Sequence, residues 1–558
     1  MKRIITLTLM LCTVFTMSAQ FSGSGTGTSS DPYRIFNADQ LTQMRNFLNQ
    51  EGVYFKLQND INLTDWLADN YPTQGWQPVG STSEPFKGTL DGNGKTISGF
   101  SITRTSADYI GLFAAVDGAT IKDLTLKGDI QGKSYVGSLM GSGSATVTNY
   151  SFDGTVTGTG NYIGGVGGMQ NTASSNLTVN ATVKGAQHTG GIYGLGVGLT
   201  AVTFTGQVCG TSYTGGLVGQ GSGTFSSCMM SGPVEGASYT GGLVGYATAS
   251  ISLENCTHQD NVTGTTYTGG IIGAISNSAV TLTSCYADGD VTGTTSVGGV
   301  CGQILNPANS TISGCNYWGN ITGTSQLGGV IGKISTTTYS SVDFTETTSA
   351  GRKGTLLFSN CFYKESNPRF EIGQGGVMGT FYENIIFSSD IQNWVKETTT
   401  IKYLTWKETA NDGNGNTEGY YYESSCTAPC VVYNHYLNLT DADARVLVNL
   451  FNCSVAGNIF GTESYVGGII GQDIENNGQL AHHTITDSKT IYYYKEGTHS
   501  TTALTLKKYN RSYTTTSITD SYFSGNLSGT NYIGGIAGTK MGGQINKCYA
   551  SASISGSQ

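Results

Sequence analysis

The stretch Tyr239–Gly245, reading YTGGLVG, decides the fold, because close copies of it return along most of the chain. The same apolar-Gly-Gly-apolar-x-Gly frame reads YIGGVGG at Tyr162–Gly168, HTGGIYG at His188–Gly194, YTGGLVG at Tyr213–Gly219, YTGGIIG at Tyr267–Gly273, SVGGVCG at Ser296–Gly302 and QLGGVIG at Gln326–Gly332. It comes back late as YVGGIIG from Tyr465 and YIGGIAG from Tyr532, and weaker copies, YIGLFA from Tyr109 and YVGSLMG from Tyr135, precede the series. The first glycines, Gly111, Gly137, Gly164, Gly190, Gly215, Gly241, Gly269, Gly298 and Gly328, keep a nearly constant step that lengthens slightly toward the end of the series. A unit this short cannot bury a core of its own and must use its neighbours as walls, which defines a solenoid.

Within one unit, three short apolar stretches alternate with Gly/Asn/Asp/Ser turns; after Gly269 they are GGIIG, Val280–Tyr286 and Asp290–Gly293. Three strands and three turns make one rung, and stacked rungs are spaced by the inter-strand distance of ~4.8 Å. The glycines belong where positive φ or close backbone approach is required. A left-handed helix of hexapeptides would show a shorter period. The fold class expected is therefore all-β: a right-handed parallel β-helix with a short N-terminal capping helix and two inserted, hairpin-containing segments. Cys228, Cys256, Cys285 and Cys315 each stand at the same offset ahead of the next repeat's first glycine, with Cys453 and Cys548 placed similarly. They should stack as a ladder on one inside wall, as buried free thiols in preference to disulfides, because side chains stacked in a parallel sheet suit bridge geometry poorly. Cys426 and Cys430, in CTAPC, are the better candidates for a bridge.

The first residues, Lys2 and Arg3, an apolar run Ile4–Phe15 and small residues Ser18 and Ala19, have the outline of a secretory signal peptide over 1–19. Beyond it no apolar run reaches the roughly 20 residues of a spanning helix, so no transmembrane segment is expected after cleavage and the location expected is secreted or cell-surface. The formal charge of −9 argues against nucleic acid, whose phosphates need clustered Lys and Arg.

Residues 20–104 read as an N-terminal cap and first rungs. Asn37 and Gln40 occupy capping-box positions, and Leu41, Met44, Phe47 and Leu48 follow at helical spacing, as an element closing the open end of a solenoid should. Trp66 and Trp76 fall in a loop, where they should pack beneath it. Residues 105–340 carry the regular repeats and 341–379 an irregular segment with a degenerate rung. An insertion at 380–451, one rung at 452–472, a hairpin insertion at 473–516 and terminal rungs at 517–558, read as incomplete, complete the order. Each insertion is expected to hold a hairpin and carries a tyrosine run, Tyr420, Tyr421 and Tyr422 in the first and Tyr492, Tyr493 and Tyr494 in the second. Tyr offers rigid amphipathic contact area for sugars or proteins, so these six are the binding candidates; the plainer reading packs them against the helix wall.

Enzymatic chemistry finds little purchase. G-x-S-x-G, Walker A and paired C-x-x-C motifs are absent from the sequence. Six histidines are scattered, and His188 takes the place of the tyrosine before a glycine pair, as a wall residue would. His482–His483 and the Asp412, Asn414, Asn416, Glu423 spacing read better as solvated loop and hairpin tip than as metal sites, so no metal and no cofactor is expected. Polysaccharide lyases and glycosidases on β-helices need convergent carboxylates, or carboxylates with Lys or Arg, on one face. No ladder of Asp, Lys or Arg recurs in phase with the repeat, so no catalytic residue is assigned.

The G-G-[LIV]-x-G frame at these intervals resembles the GLUG-motif repeats of secreted and surface bacterial proteins, and DPYRIFNADQLTQM with FKGTLDGNGKTISGF resembles the segment that precedes them. The resemblance covers most of Asp31–Lys333 and later rungs, not the insertions. It implies a cell-surface or secreted β-helix, adhesive in several members and attached in others to IgA-cleaving peptidases, whose H-E-x-x-H motif is absent here. The function expected is a non-enzymatic adhesin or binding stalk for a glycan or a host or cell-surface protein. The alternatives are a carbohydrate-active β-helix enzyme and a structural spacer presenting a further C-terminal domain.

Overall fold

The computed structural model describes residues 21–305, 307–335, 448–473, 516–540 and 544–556 with their side chains, and between them the backbone of individual strands. The chain is a parallel β-solenoid of about 11 turns. The recurring glycines are register partners: Gly164, Gly190, Gly215, Gly241, Gly269, Gly298, Gly328, Gly467 and Gly534 pair in succession through one parallel sheet. The remaining walls form a second, continuous parallel system that passes around the corners.

Close approach, and not torsion, explains the glycine pair. A Cβ on Gly241 would overlap the carbonyl oxygen of Val244, and one on Gly242 would overlap that of Gly270 and meet the His258 ring at 2.6 Å. Left-handed torsion falls instead on the residue two places earlier, with φ of 55° at Tyr213, 58° at Tyr239 and 59° at Tyr267. The interior is filled by stacked columns, such as Phe152, Val179, Phe204, Met230, His258, Ala287, Tyr317, Val455 and Phe523, each the register partner of the next. All nine are buried. Each large apolar member contributes about 1.5–3 kcal/mol relative to exposure, and only because the rungs on either side exist.

At the N-terminal end the cap has the expected place. Helix Ala38–Thr42 opens with Asn37 Oδ1 accepting from the Gln40 amide at 3.0 Å, while the Gln40 side chain accepts from Phe36 N and not from Asn37. It tightens into a 3-10 turn at Gln43–Phe47, and Leu41, Met44 and Phe47 are buried with Phe21 and Phe55. The loop expected around Trp66 is in part a helix, Thr64–Asn70, whose Trp66 Nε1 donates to Asp39 Oδ1 at 2.7 Å and ties it to the cap. Trp76 is fully buried, donates to Leu112 O at 3.2 Å, and lies under the Arg45 guanidinium at 4.6 Å.

Both insertions leave from one corner, the one after strand Ile272–Ser276 in the regular rung. There the spare residues of longer rungs also collect, since pairing stops at Ser276 with Leu305 and resumes at Thr281 with Thr311. The first departs after strand Ile331–Thr336 and returns at Arg445–Phe451; the second departs after Ile470–Glu475 and returns at Tyr513–Thr519. Register is kept across both. Ser310 pairs with Val448, and along one corner Asn458 donates to Asn320 Oδ1 at 3.1 Å and Asn526 to Asn458 Oδ1 at 3.0 Å.

Candidate functional site

The residue two places ahead of the first glycine of the frame takes left-handed torsion, and successive rungs place these rings one above another. Tyr109, Tyr135, Tyr162, His188, Tyr213, Tyr239 and Tyr267 form a column with centroids 4.5–4.9 Å apart. Most pairs lie within 16° of parallel, and the last, Tyr239 with Tyr267, tilts by 34°. Every ring is half-buried, so one edge of the stack faces solvent. His188 is thus a wall residue, as its position implied, and burial lowers its pKa. The column ends where Ser296 and Gln326 take over, joined by a 2.6 Å hydrogen bond, and two rings stack again further on, Tyr465 and Tyr532.

Beside the end of the column lies a recess of about 200 Å³, walled by Tyr239, Tyr246 and Tyr267 and floored by Ala274, with Gln303 and Lys333 on its far side. Tyr246 packs obliquely against Tyr239 at 4.9 Å and Tyr213 at 5.4 Å. Gln303 Nε2 donates to Ser335 Oγ at 3.0 Å, which fixes that amide. Lys333 enters no ion pair with another described residue, and burial holds its ammonium below the ordinary lysine value. The arrangement offers flat apolar faces, fixed hydrogen-bonding groups and, among the described residues, one unmet positive charge.

A second concavity, of about 530 Å³, lies near the cap, where charged residues align on early rungs that precede the regular repeat. Lys56, Asp91 and Lys122 are register partners on three consecutive rungs, and both lysines reach Asp91 Oδ2, at 3.5 and 3.3 Å. Lys122 also meets Asp123 at 3.5 Å, and Asn149 donates to Asp123 Oδ1 at 2.7 Å. The charge of Asp91 raises the Lys122 pKa. The strip is an ion-paired network, its carboxylates already engaged.

The cysteine column stands on the inside wall. Cys228, Cys256, Cys285, Cys315 and Cys453 are buried free thiols, with Ser521 in the place of a cysteine before Cys548, which is partly exposed. Their Sγ atoms point at main-chain carbonyls, as in Cys453 to Ile312 O at 3.5 Å. Among the described residues no cluster of three His, Cys, Asp or Glu could hold a metal ion.

Of the six tyrosines chosen from sequence, Tyr420, Tyr421 and Tyr422 lie on strand Thr417–Thr427 and Tyr492, Tyr493 and Tyr494 on strand Thr484–Tyr494. Each strand belongs to an antiparallel hairpin, with Thr400–Asn411 and Thr501–Arg511 respectively. The backbone register joins the two hairpins in parallel, Tyr421 with Tyr493 and Tyr422 with Tyr494, so both insertions share one sheet. Their side chains, those of Cys426 and Cys430, the signal segment 1–19 and His482–His483 lie outside the described residues. The recess at Ala274 was not among the sequence candidates.

Paired glycines in register, an outward aromatic column and an apolar interior define a parallel β-helix of one recurring rung. The family model described as the GLUG motif matches residues 236–263, a span that includes Tyr239–Gly245, so the repeat is a GLUG repeat. A protein of Evansella cellulosilytica, provisionally named a Gly-rich membrane protein, is 36% identical over 172 residues, covering 27% of this chain and 19% of its own. Halomucin of Haloquadratum walsbyi is 35% identical over 153 residues, covering 27% of this chain and 2% of its own. The chain thus spans a fifth or less of these relatives. A solved chain from Bacteroides ovatus, provisionally described as an immunoglobulin A1 protease, shares 20% identity over 54% of this chain and 79% of that one, at a TM-score of 0.31.

Proposed function

We propose that this chain is a surface-associated, non-catalytic binding stalk, an adhesin whose β-helix is both spacer and contact surface. The observation that carries the reading is the half-buried aromatic column ending in an aromatic-walled recess with fixed polar groups. Planar rings give contact area at low entropic cost, and a rigid solenoid holds them at a constant spacing. The signal-like first residues and a relative named as a membrane protein support the location. The test uses mature Gln20–Gln558 on immobilised glycans and whole cells. Retention that weakens for Tyr239→Ala and Tyr267→Ala supports the proposal; no retention on any glycan or cell surface rejects it.

A carbohydrate-active reading has one observation in its favour, the row Lys56, Asp91 and Lys122 on adjacent rungs. Incubation with plant, microbial and mucin polysaccharides, followed by assay of new reducing or unsaturated ends, separates the two. Release that is lost in Asp91→Asn replaces binding by catalysis.

A further inference from the structure

The outward row beside the aromatic column runs Gln220, Tyr246, Ala274, Gln303 and Lys333, each the register partner of the next. Side chains along it are long except at Ala274, where the row dips, and that dip is the floor of the recess. Its walls differ in chemistry. Tyr239, Tyr246 and Tyr267 stand on one side, and on the other Gln303, 7% exposed and pinned to Ser335, leads to Lys333. A volume of about 200 Å³ holds one small ring and not a length of polymer.

We infer that this recess is a subsite for a single acidic sugar unit, whose ring lies against the tyrosine wall and whose carboxylate is received by the ammonium of Lys333. The inference rests on the binding reading above and names its ligand class. A neutral sugar would use the tyrosines and leave Lys333 as it is, a partly desolvated charge with no counter-ion among the described residues. A carboxylate supplies that counter-ion where attraction is stronger than on open surface, through a charge-assisted hydrogen bond. A wholly apolar ligand would bury the ammonium unpaired, which is costly. Phosphate and sulfate esters are met bidentately by the planar fork of arginine, and among the described residues no arginine lines this recess.

The experiment is calorimetric titration of mature Gln20–Gln558 with galacturonate and mannuronate oligomers, their methyl esters, and neutral galactose oligomers of equal length. Wild type should bind at least one free acid roughly tenfold or more tighter than its ester, the scale of a hydrogen bond to a charged group. Lys333→Met keeps the aliphatic stem and should bind acid and ester alike. Ala274→Phe fills the floor and should weaken acid binding roughly tenfold or more, with an unchanged circular dichroism spectrum. Equal affinity of wild type for acid and ester overturns the acidic subsite and leaves the binding stalk standing. A preference that survives both substitutions places the site elsewhere and overturns it as well. Absence of oligosaccharide binding while cells are still retained defeats the inference alone; absence of both defeats the functional reading with it.

Discussion

The rings of Tyr213 and Tyr239 stack with centroids 4.8 Å apart and planes 10° from parallel, although each residue carries the left-handed φ that bulky side chains avoid. The stack on either side holds them there. Tyr213→Val should cost about 2–4 kcal/mol, because it removes the ring contacts with His188, Tyr239 and Tyr246 and sets a β-branched residue at a φ of 55°. Tyr213→His should cost under about 1 kcal/mol, since His188 already serves in the neighbouring rung. Urea unfolding of the two variants checks the order.

Gly242→Ala should be among the most damaging single changes. The new Cβ meets the main-chain oxygen of Gly270 and the His258 ring, neither of which can withdraw. A loss above about 4 kcal/mol or failure to fold is expected, seen as insoluble expression or rapid proteolysis. Gly94→Asn is the contrast: φ is +69° but no atom lies within 4 Å of a Cβ, and Asn tolerates that torsion. It should leave yield and melting temperature nearly unchanged.

His258 stands in an apolar column with its Nε2 donating to Gly232 O at 3.2 Å, and burial lowers its pKa from 6.5 to about 4. The unfolded chain takes up this proton near pH 6.5 and the folded chain does not until about pH 4. Its contribution is therefore complete above pH 6.5 and is lost as pH falls to 4, by about 3 kcal/mol at most. His258→Met, matching Met230 one rung earlier, should abolish that part of the acid sensitivity. Urea midpoints at neutral pH and at a pH just above the folded-state value give the comparison.

Burial pushes the thiols of Cys301 and Cys453 up to about 12. A maleimide should therefore leave them unmodified in the folded chain and label them after denaturation. Among the described cysteines, Cys209 and Cys548 are partly exposed and should react first. Mass spectrometry of labelled peptides reads the order, and early labelling of Cys453 would show that the inside wall opens.

The backbone plan was legible because one position repeats. Glycine pairs returning at a nearly constant step are register partners in the fold, and the cysteines at a fixed offset before them line one wall. What escaped the sequence depends on register between unlike residues. Lys56, Asp91 and Lys122 sit in irregular early rungs whose spacing departs from the period, so their alignment is invisible until the sheet is paired. The recess depends on a small residue, Ala274, falling between Tyr246 and Gln303, and nothing marks an alanine as the bottom of anything. Tyrosines before glycine pairs were visible, but their common torsion and stacking are properties of the assembled column. The tyrosine runs drew notice by composition; that Tyr421 and Tyr493 pair across two separate insertions is a tertiary fact.

The excursion between Thr336 and Arg445 barely disturbs the equilibrium stack, for loop-closure entropy grows only with the logarithm of length. Time is affected more. Rungs up to Lys333 can add one upon another as soon as each is made, every strand finding its template one short repeat behind it. Val448 must wait for the whole excursion before it can meet Ser310, and Ser517 for the second before it can meet Asn449. The two junctions beyond the insertions are thus the wall contacts of longest sequence separation, a separation set by the inserted segments and not by the wall they interrupt.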